Sequence, residues 1–233
     1  MERKRIRINT SWDDGAVEDL KLVELLAKYS IQSTLYIPIK NQERAVITKE
    51  QIKDLSKIPN VEIGSHTYNH IYLTTVPYDI SLQEVKKGRE ALEDILGYSV
   101  PKFCYPGGKF TSQITEGIKS IVDKGRTCNI MSIERNDNFN VDTTCHFMHR
   151  PLKSYIKQIL LHAPLSLKPK LLRWSFSNKT NLYDLVNIFV DYTLEKEENF
   201  SIHIWGHSWE LEQHNLWGEL ERTLQLLESL GKI

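Results

Sequence analysis

Cysteine is scarce in this 233-residue chain, and the three present, Cys104, Cys128 and Cys145, are odd in number with no Cys-x-x-Cys spacing. That argues against a disulfide framework or a thiolate metal cluster and leaves the thiols as small buried apolar groups. Long hydrophobic runs are missing as well. No stretch approaches the roughly 20 apolar residues that cross a bilayer, and the charged start Met1-Glu2-Arg3-Lys4-Arg5 lacks the apolar region of a secretory signal peptide. The expected setting is the reducing cytoplasm. Net charge is absent too, 30 basic side chains balancing 30 acidic ones, so no broad positive field favours nucleic acid and none is expected as a partner. Internal repeats, low-complexity tracts and glycine-serine linkers are also lacking.

What is there suits one sizeable core. With 40% hydrophobic and 26% charged residues, residues 1–233 read as one domain in the size range of an α/β barrel. Ile6 and Ile8 alternate with charged neighbours toward Trp12, a strand pattern, whereas Leu22, Leu25, Leu26 and Tyr29 share one helical face. Further strands are expected at 33–37, 61–65, 102–105, 126–130, 146–152 and 200–205. Helices are expected at 49–56, 82–96, 115–123, 182–196 and 217–230. Six or seven βα units suggest a distorted (β/α)7-type barrel, in which functional residues gather at the carboxyl ends of the strands. Asp13, Asp14, His66, Tyr105 and His207 all fall at or just beyond such ends.

Acidic residues vanish from Thr143 to Tyr183, while Arg150, Lys153, Lys157, Lys168, Lys170, Arg173 and Lys179 lie there among leucines and Trp174. We read a basic, apolar insertion around 153–180. Its simpler meaning is a surface excursion over the barrel mouth, offsetting acidic stretches such as Glu195–Glu198. Its sharper meaning is contact with an anionic target: a phosphate, a nucleotide sugar or an acidic membrane surface carrying a lipid-linked glycan, with peripheral membrane contact.

Two short passages carry chemistry. Thr10-Ser11-Trp12-Asp13-Asp14-Gly15 ends a strand in paired carboxylates, and His66-Thr67-Tyr68-Asn69-His70 supplies two imidazoles. Alone, the first is a turn signal and the second a helix-surface pair. Together, one carboxylate and two imidazoles make a cation site with open positions, leaving the other aspartate free to act. A helical turn would bring His66 and His70 to one side.

These passages resemble the Thr-Phe-Asp-Asp-Gly and His-Ser/Thr-x-x-His motifs of the NodB-type polysaccharide deacetylases, carbohydrate esterase family 4. Phe103-Cys104-Tyr105-Pro106-Gly107-Gly108 resembles the third motif, and Ile204-Trp205-Gly206-His207 the late one. The resemblance spans residues 10–207 and implies the NodB homology fold and a metal-dependent hydrolase that removes an N-acetyl group from an amino sugar or glycan. It implies Asp13 as general base, Asp14, His66 and His70 as ligands of one divalent cation, with Zn2+ the first choice, His207 as general acid, and the Gly107 N–H at the oxyanion. Tyr105, Trp205 and Trp209 are candidate walls for a sugar ring, and His203 is a rival to His207. Where the family's third motif begins with an arginine that orients the catalytic aspartate, this chain has Cys104; Arg150 is the expected substitute. Other readings are an amidohydrolase of a cyclic imide, ureide or formamide, an inactive carbohydrate-binding relative, and an Fe(II) oxygenase, in which Asp13 has no role.

Overall fold

The computed structural model describes residues 6–133, 139–177, 181–196 and 200–231. Met1–Arg5, Lys179, Glu197 and Glu198, named above for their charges, lie outside these residues.

Strand β1 (Arg7–Asp13) sits near the middle of one parallel sheet. The others are β2 (Ser33–Ile37), β3 (Val61–Ser65), β4 (Lys102–Cys104), β5 (Lys124–Arg126), β6 (Asn140–Val141), β7 (Cys145–His146) and β8 (Ser201–Gly206). Their order is β6-β5-β4-β3-β2-β1-β8-β7, every pair parallel. The sheet curls into a partial barrel. Its edge strands β6 and β7 are not ladder partners, but 129–132 ties to the turn between them through Thr143 N–H to Asn129 C=O and Met131 N–H to Thr144 C=O.

The helices are α1 (Asp19–Lys28), α2 (Lys49–Leu55), α3 (Tyr78–Leu96), α4 (Ser112–Ile118), α5 (Leu152–His162), α6 (Lys168–Ser175), α7 (Leu182–Leu194), α8 (Ser208–Gln213) and α9 (Trp217–Gly231). Each long helix turns its apolar stripe inward: Leu22 and Leu26 on α1, and Leu220, Leu224 and Leu227 on α9, are fully buried. Each such leucine contributes about 1.5–3 kcal/mol by leaving water. Local chemistry sets several ends. A Thr48–Gln51 capping box opens α2, and Gly97 with φ 79° closes α3.

Three strand expectations need correction. The strand expected over 126–130 ends at Arg126, the last residue of β5, and 127–130 form a loop in which Ile130 is buried beside Met131 at φ 69°. The strand expected to reach residue 152 stops at His146, because Pro151 and the apolar face of Tyr155 and Ile159 favour a helix. β6 was not expected; two residues are too few for alternation to register. The basic stretch is a helix pair, α5 and α6, anchored in the main core by Ile159, Leu171 and Trp174, yet Leu160, Leu161, Leu165 and Phe176 stay exposed, Leu165 at 82%. Among the described residues no helix is long and apolar enough to cross a membrane.

Candidate active site

Asp13 and Asp14 end β1 at the carboxyl side of the sheet, and their side chains diverge because Asp14 leaves the strand at φ 81°. A non-glycine residue held there is strained, and such strain persists where the surroundings over-determine it.

Asp13 is 2% exposed and Arg126 1%. The Arg126 Nη2 donates to Asp13 Oδ1, and Cys104 Sγ, 3.6 Å away, donates to Oδ2. Burial alone would raise the Asp13 carboxyl, but the Arg126 charge, helped by His66 and His207, holds it below the ordinary carboxylate range. Cys104 and Arg126 are register partners on β4 and β5. The guanidinium missing at Cys104 therefore arrives from the next strand. Arg150 does not take that place: its Nε donates to His146 Nδ1 at 2.9 Å. With β7 ending at His146, Arg150 falls in the turn before α5, out of the strand register that would aim it inward.

His66 follows β3, and the residues after it form a loop rather than the expected helical turn, with Thr67 at φ 67° and His70 at φ 55°. These left-handed residues fold the loop back until the two imidazole centroids are 5.0 Å apart. Helix α3 clamps it. The Glu84 carboxylate accepts from Asn69 N–H and Nδ2 at 2.9 and 2.7 Å, and a Cβ on Gly88 would come 2.5 Å from the Thr67 carbonyl carbon, so only glycine permits this approach.

His70 Nε2 and His66 Nε2 lie 3.0 and 3.7 Å from Asp14 Oδ1, and the three ligand atoms fall within 4.8 Å of one another. Asp14 Oδ1 is buried, with the two imidazoles as its neighbours and no other donor bonded to it. His66 Nδ1–H donates to the Cys104 carbonyl at 2.9 Å, which leaves the Nε2 lone pair free. Burial takes the His66 pKa down to about 4, so its imidazole is neutral, as a ligand must be. This donor set fits one divalent cation with open positions. Asp14 Oδ2 faces elsewhere: Trp209 Nε1 donates to it at 3.0 Å and Arg44 Nε lies 3.5 Å away, with the Arg44 guanidinium 3.7 Å above the Trp209 ring.

His207 stands at the end of β8, its Nε2 3.9 Å from Asp14 Oδ2. Its Nδ1 is 2.8 Å from Glu210 Oε2, which also lies 2.9 Å from His146 Nε2. Burial would lower its pKa, but Glu210, with Asp13 and Asp14, raises it to about 9, so it is cationic at neutral pH. Glu210 Oε2 accepts from both His146 and His207, and a cationic His207 has no lone pair to offer, so this second cluster makes a poor cation site. The rival His203 lies deeper in β8, 2.8 Å from Ser11 Oγ, and burial takes its pKa down to about 3. It does not reach the carboxyl mouth.

Gly107 lies in a tight turn at φ 60°, where a Cβ would meet the Tyr72 ring at 2.7 Å. The expected aromatic walls divide. Trp209 is half-buried at the site, but Tyr105 is fully buried with its hydroxyl on Asn140 Oδ1 at 2.9 Å, and Trp205 is buried and stacked on His146 with centroids 4.0 Å apart. Neither offers a face to a sugar, because both rings are consumed by packing. Sequence reasoning missed Arg126, Glu210 and Arg44. A lone charge at the start of the strand candidate 126–130 pointed to the first, and the i+3 spacing from His207 to the second; nothing marked Arg44.

Residues 2–122 match the family described as polysaccharide deacetylase. No curated protein matches significantly. Among solved structures, the chitin deacetylase of Colletotrichum lindemuthianum superposes with TM-score 0.57 at 16% identity, over 98% of this chain and 85% of that one. A family 4 carbohydrate esterase from Streptomyces lividans, in complex with acetate, gives 0.53 at 10% identity over 97% and 90%. The Streptococcus pyogenes deacetylase PplD, also with acetate, gives 0.52 at 20% identity, over 57% of this chain and 62% of its own. Of a polysaccharide deacetylase from Bacillus cereus, the match spans 45%.

Proposed function

The chain belongs to the polysaccharide deacetylase family, and on that premise we propose that it hydrolyses the N-acetyl amide of an amino sugar or glycan with one bound divalent cation. The observation that carries this reading is the convergence, at one mouth of the barrel, of Asp14, His66 and His70 beside the buried Asp13–Arg126 pair.

Asp14 Oδ1, His66 Nε2 and His70 Nε2 would hold the cation, zinc being the first choice. When bound, such an ion polarises the acyl oxygen and lowers the pKa of water. Asp13, kept ionised by Arg126, takes the proton of the attacking water as its oxygen bonds to the acyl carbon. His207, cationic through Glu210, gives a proton to the amide nitrogen as the C–N bond breaks, releasing acetate and a free amine. The Gly107 N–H is the candidate oxyanion donor. Trp209, with Arg44 over its face, is the aromatic that remains for the sugar. Acetate in the complexes of two fold relatives agrees with this product.

The finer substrate class is an anionic or lipid-linked glycan. Its support is the acid-free stretch 143–183, in which exposed Leu160, Leu161, Leu165 and Phe176 mix with lysines and Arg173. Liposome co-sedimentation should show binding to anionic vesicles that falls when Lys153, Lys157 and Arg173 become Gln; equal binding to neutral vesicles sinks this refinement.

Acetate release from N-acetylated saccharides, with metal analysis of the same sample, tests the main reading. Asp13→Asn should retain the cation and lose about 10³-fold in rate, while Asp14→Asn should lose the cation. Full activity in Asp13→Asn, a protein that binds no cation, or turnover confined to cyclic imides would refute it.

A further inference from the structure

Asp14 has two carboxylate oxygens, and its surroundings treat them differently. Oδ1 faces the imidazoles of His66 and His70 at 3.7 and 3.0 Å. Oδ2 turns toward groups from two segments far apart in the chain. Trp209, in the first turn of α8, donates its Nε1–H to Oδ2 at 3.0 Å, and Arg44 Nε, on the loop between β2 and α2, lies 3.5 Å from it. The Asp14 side chain is only 5% exposed, so protein donors rather than water decide how the carboxylate sits. Charge-assisted bonds of this kind are strong and directional.

These groups are themselves held. The Arg44 guanidinium lies 3.7 Å above the Trp209 ring, a cation–π contact that seats the indole. The loop 38–48 that carries Arg44 is bonded to both ligand loops: Lys40 N–H donates to the Tyr68 carbonyl, between His66 and His70, and Ile47 N–H to the Gly15 carbonyl, next to Asp14, each at 2.8 Å. Asp14, the imidazole loop, Arg44 and Trp209 therefore form one connected unit. Without a donor on Oδ2 the carboxylate could turn about its Cβ–Cγ bond, a broad and roughly two-fold torsion. It would then present either oxygen, or both, and both together would fill a position that water or the acyl oxygen needs.

We propose that Trp209 and Arg44 are positioning residues that commit Asp14 to the cation through Oδ1: Trp209 holds Oδ2 by its N–H, and Arg44 seats the indole. The inference rests on the reading of Asp14, His66 and His70 as cation ligands. It gives the polar edge of Trp209 a task separate from any contact its ring makes with a sugar.

Competition of the full chain with a chelator for Zn2+ measures cation affinity without relying on activity, and the proton resonances of the five indole N–H groups follow Trp209 directly. Trp209→Phe keeps an aromatic ring and loses the N–H; it should bind Zn2+ about tenfold or more weakly, and the resonance it lacks identifies Trp209. In the wild type that resonance should shift as Zn2+ binds, and in Asp14→Asn it should stay still. In Arg44→Gln it should lie nearer the position of a water-exposed indole. Unchanged Zn2+ affinity in Trp209→Phe, with only KM for the saccharide raised, makes Trp209 a sugar contact and overturns the proposal. A Trp209 resonance that ignores bound Zn2+ overturns it as well, and that measurement is made on the wild type whether or not Trp209→Phe folds. A wild-type resonance in Arg44→Gln removes Arg44 from the unit. A wild type that binds no cation overturns the ligand reading itself, and this proposal with it, so the two failures are told apart.

Discussion

The carboxyl and amino mouths of the barrel are built from the same strands, yet one gathers ligand atoms within 4.8 Å of each other and the other spreads its charges around a cavity of about 550 Å³. Backbone conformation accounts for the difference. At the carboxyl mouth the chain leaves the strands through Asp14, Thr67 and His70 at positive φ, which turns side chains inward past the reach of regular extended residues. At the amino mouth Lys102, Lys124 and Arg7 are strand residues, and their positions are fixed by the sheet. Converged lone pairs suit an ion and an acyl group.

Arg126 belongs to both mouths, so its loss should have the largest effect. Arg126→Gln leaves a buried carboxylate without its partner and should cost about 3–5 kcal/mol in denaturant unfolding, with a fall in acetate release of about 10²-fold or more. Arg126→Lys should restore part of the rate. Wild-type stability and activity in Arg126→Gln would break the idea that this guanidinium holds Asp13 ionised.

Glu210 belongs to the carboxyl mouth alone. Its carboxylate favours protonated His207, whose pKa is raised to about 9. The pair therefore stabilises the fold fully up to the ordinary histidine pKa near 6.5 and loses that contribution as pH rises through about 9. In Glu210→Gln the alkaline limb of kcat/KM should move down from near 9 toward 6.5, and the deficit in unfolding free energy should shrink above that range. An unmoved limb would separate His207 from proton delivery.

Arg150 should matter least. It bonds His146, one partner further from the reacting atoms, so Arg150→Gln should change acetate release by no more than about threefold, as expected of a part-exposed pair. A loss as large as that of Arg126→Gln would return Arg150 to the role first expected of it.

Much of the fold was legible because its signals are local. β2 lies where Leu35, Tyr36 and Ile37 form an apolar run, β3 where Val61 and Ile63 flank an outward Glu62, and α9 follows the spacing of Leu220, Leu224 and Leu227. The second half reads less well: β5, β6 and β7 are two or three residues long, and strands so short take their conformation from neighbours rather than from their own pattern. In the site, Asp13-Asp14 and His66–His70 stood out because their spacing is contained within single loops. Arg126 and Arg44 did not, since each is matched to its aspartate only through the sheet register or a long loop.

The sequence by itself determined which strand ends carry carboxylates and imidazoles, for residue type and periodicity place them without reference to the rest of the chain. Only the tertiary structure decided that Arg126 and not Arg150 holds Asp13, that His207 and not His203 reaches the mouth, and that Tyr105 and Trp205 are spent in packing. The physical reason is common to all three. Pairing register and burial are properties of the whole sheet, and a shift of one strand position turns a side chain from the lumen to the core.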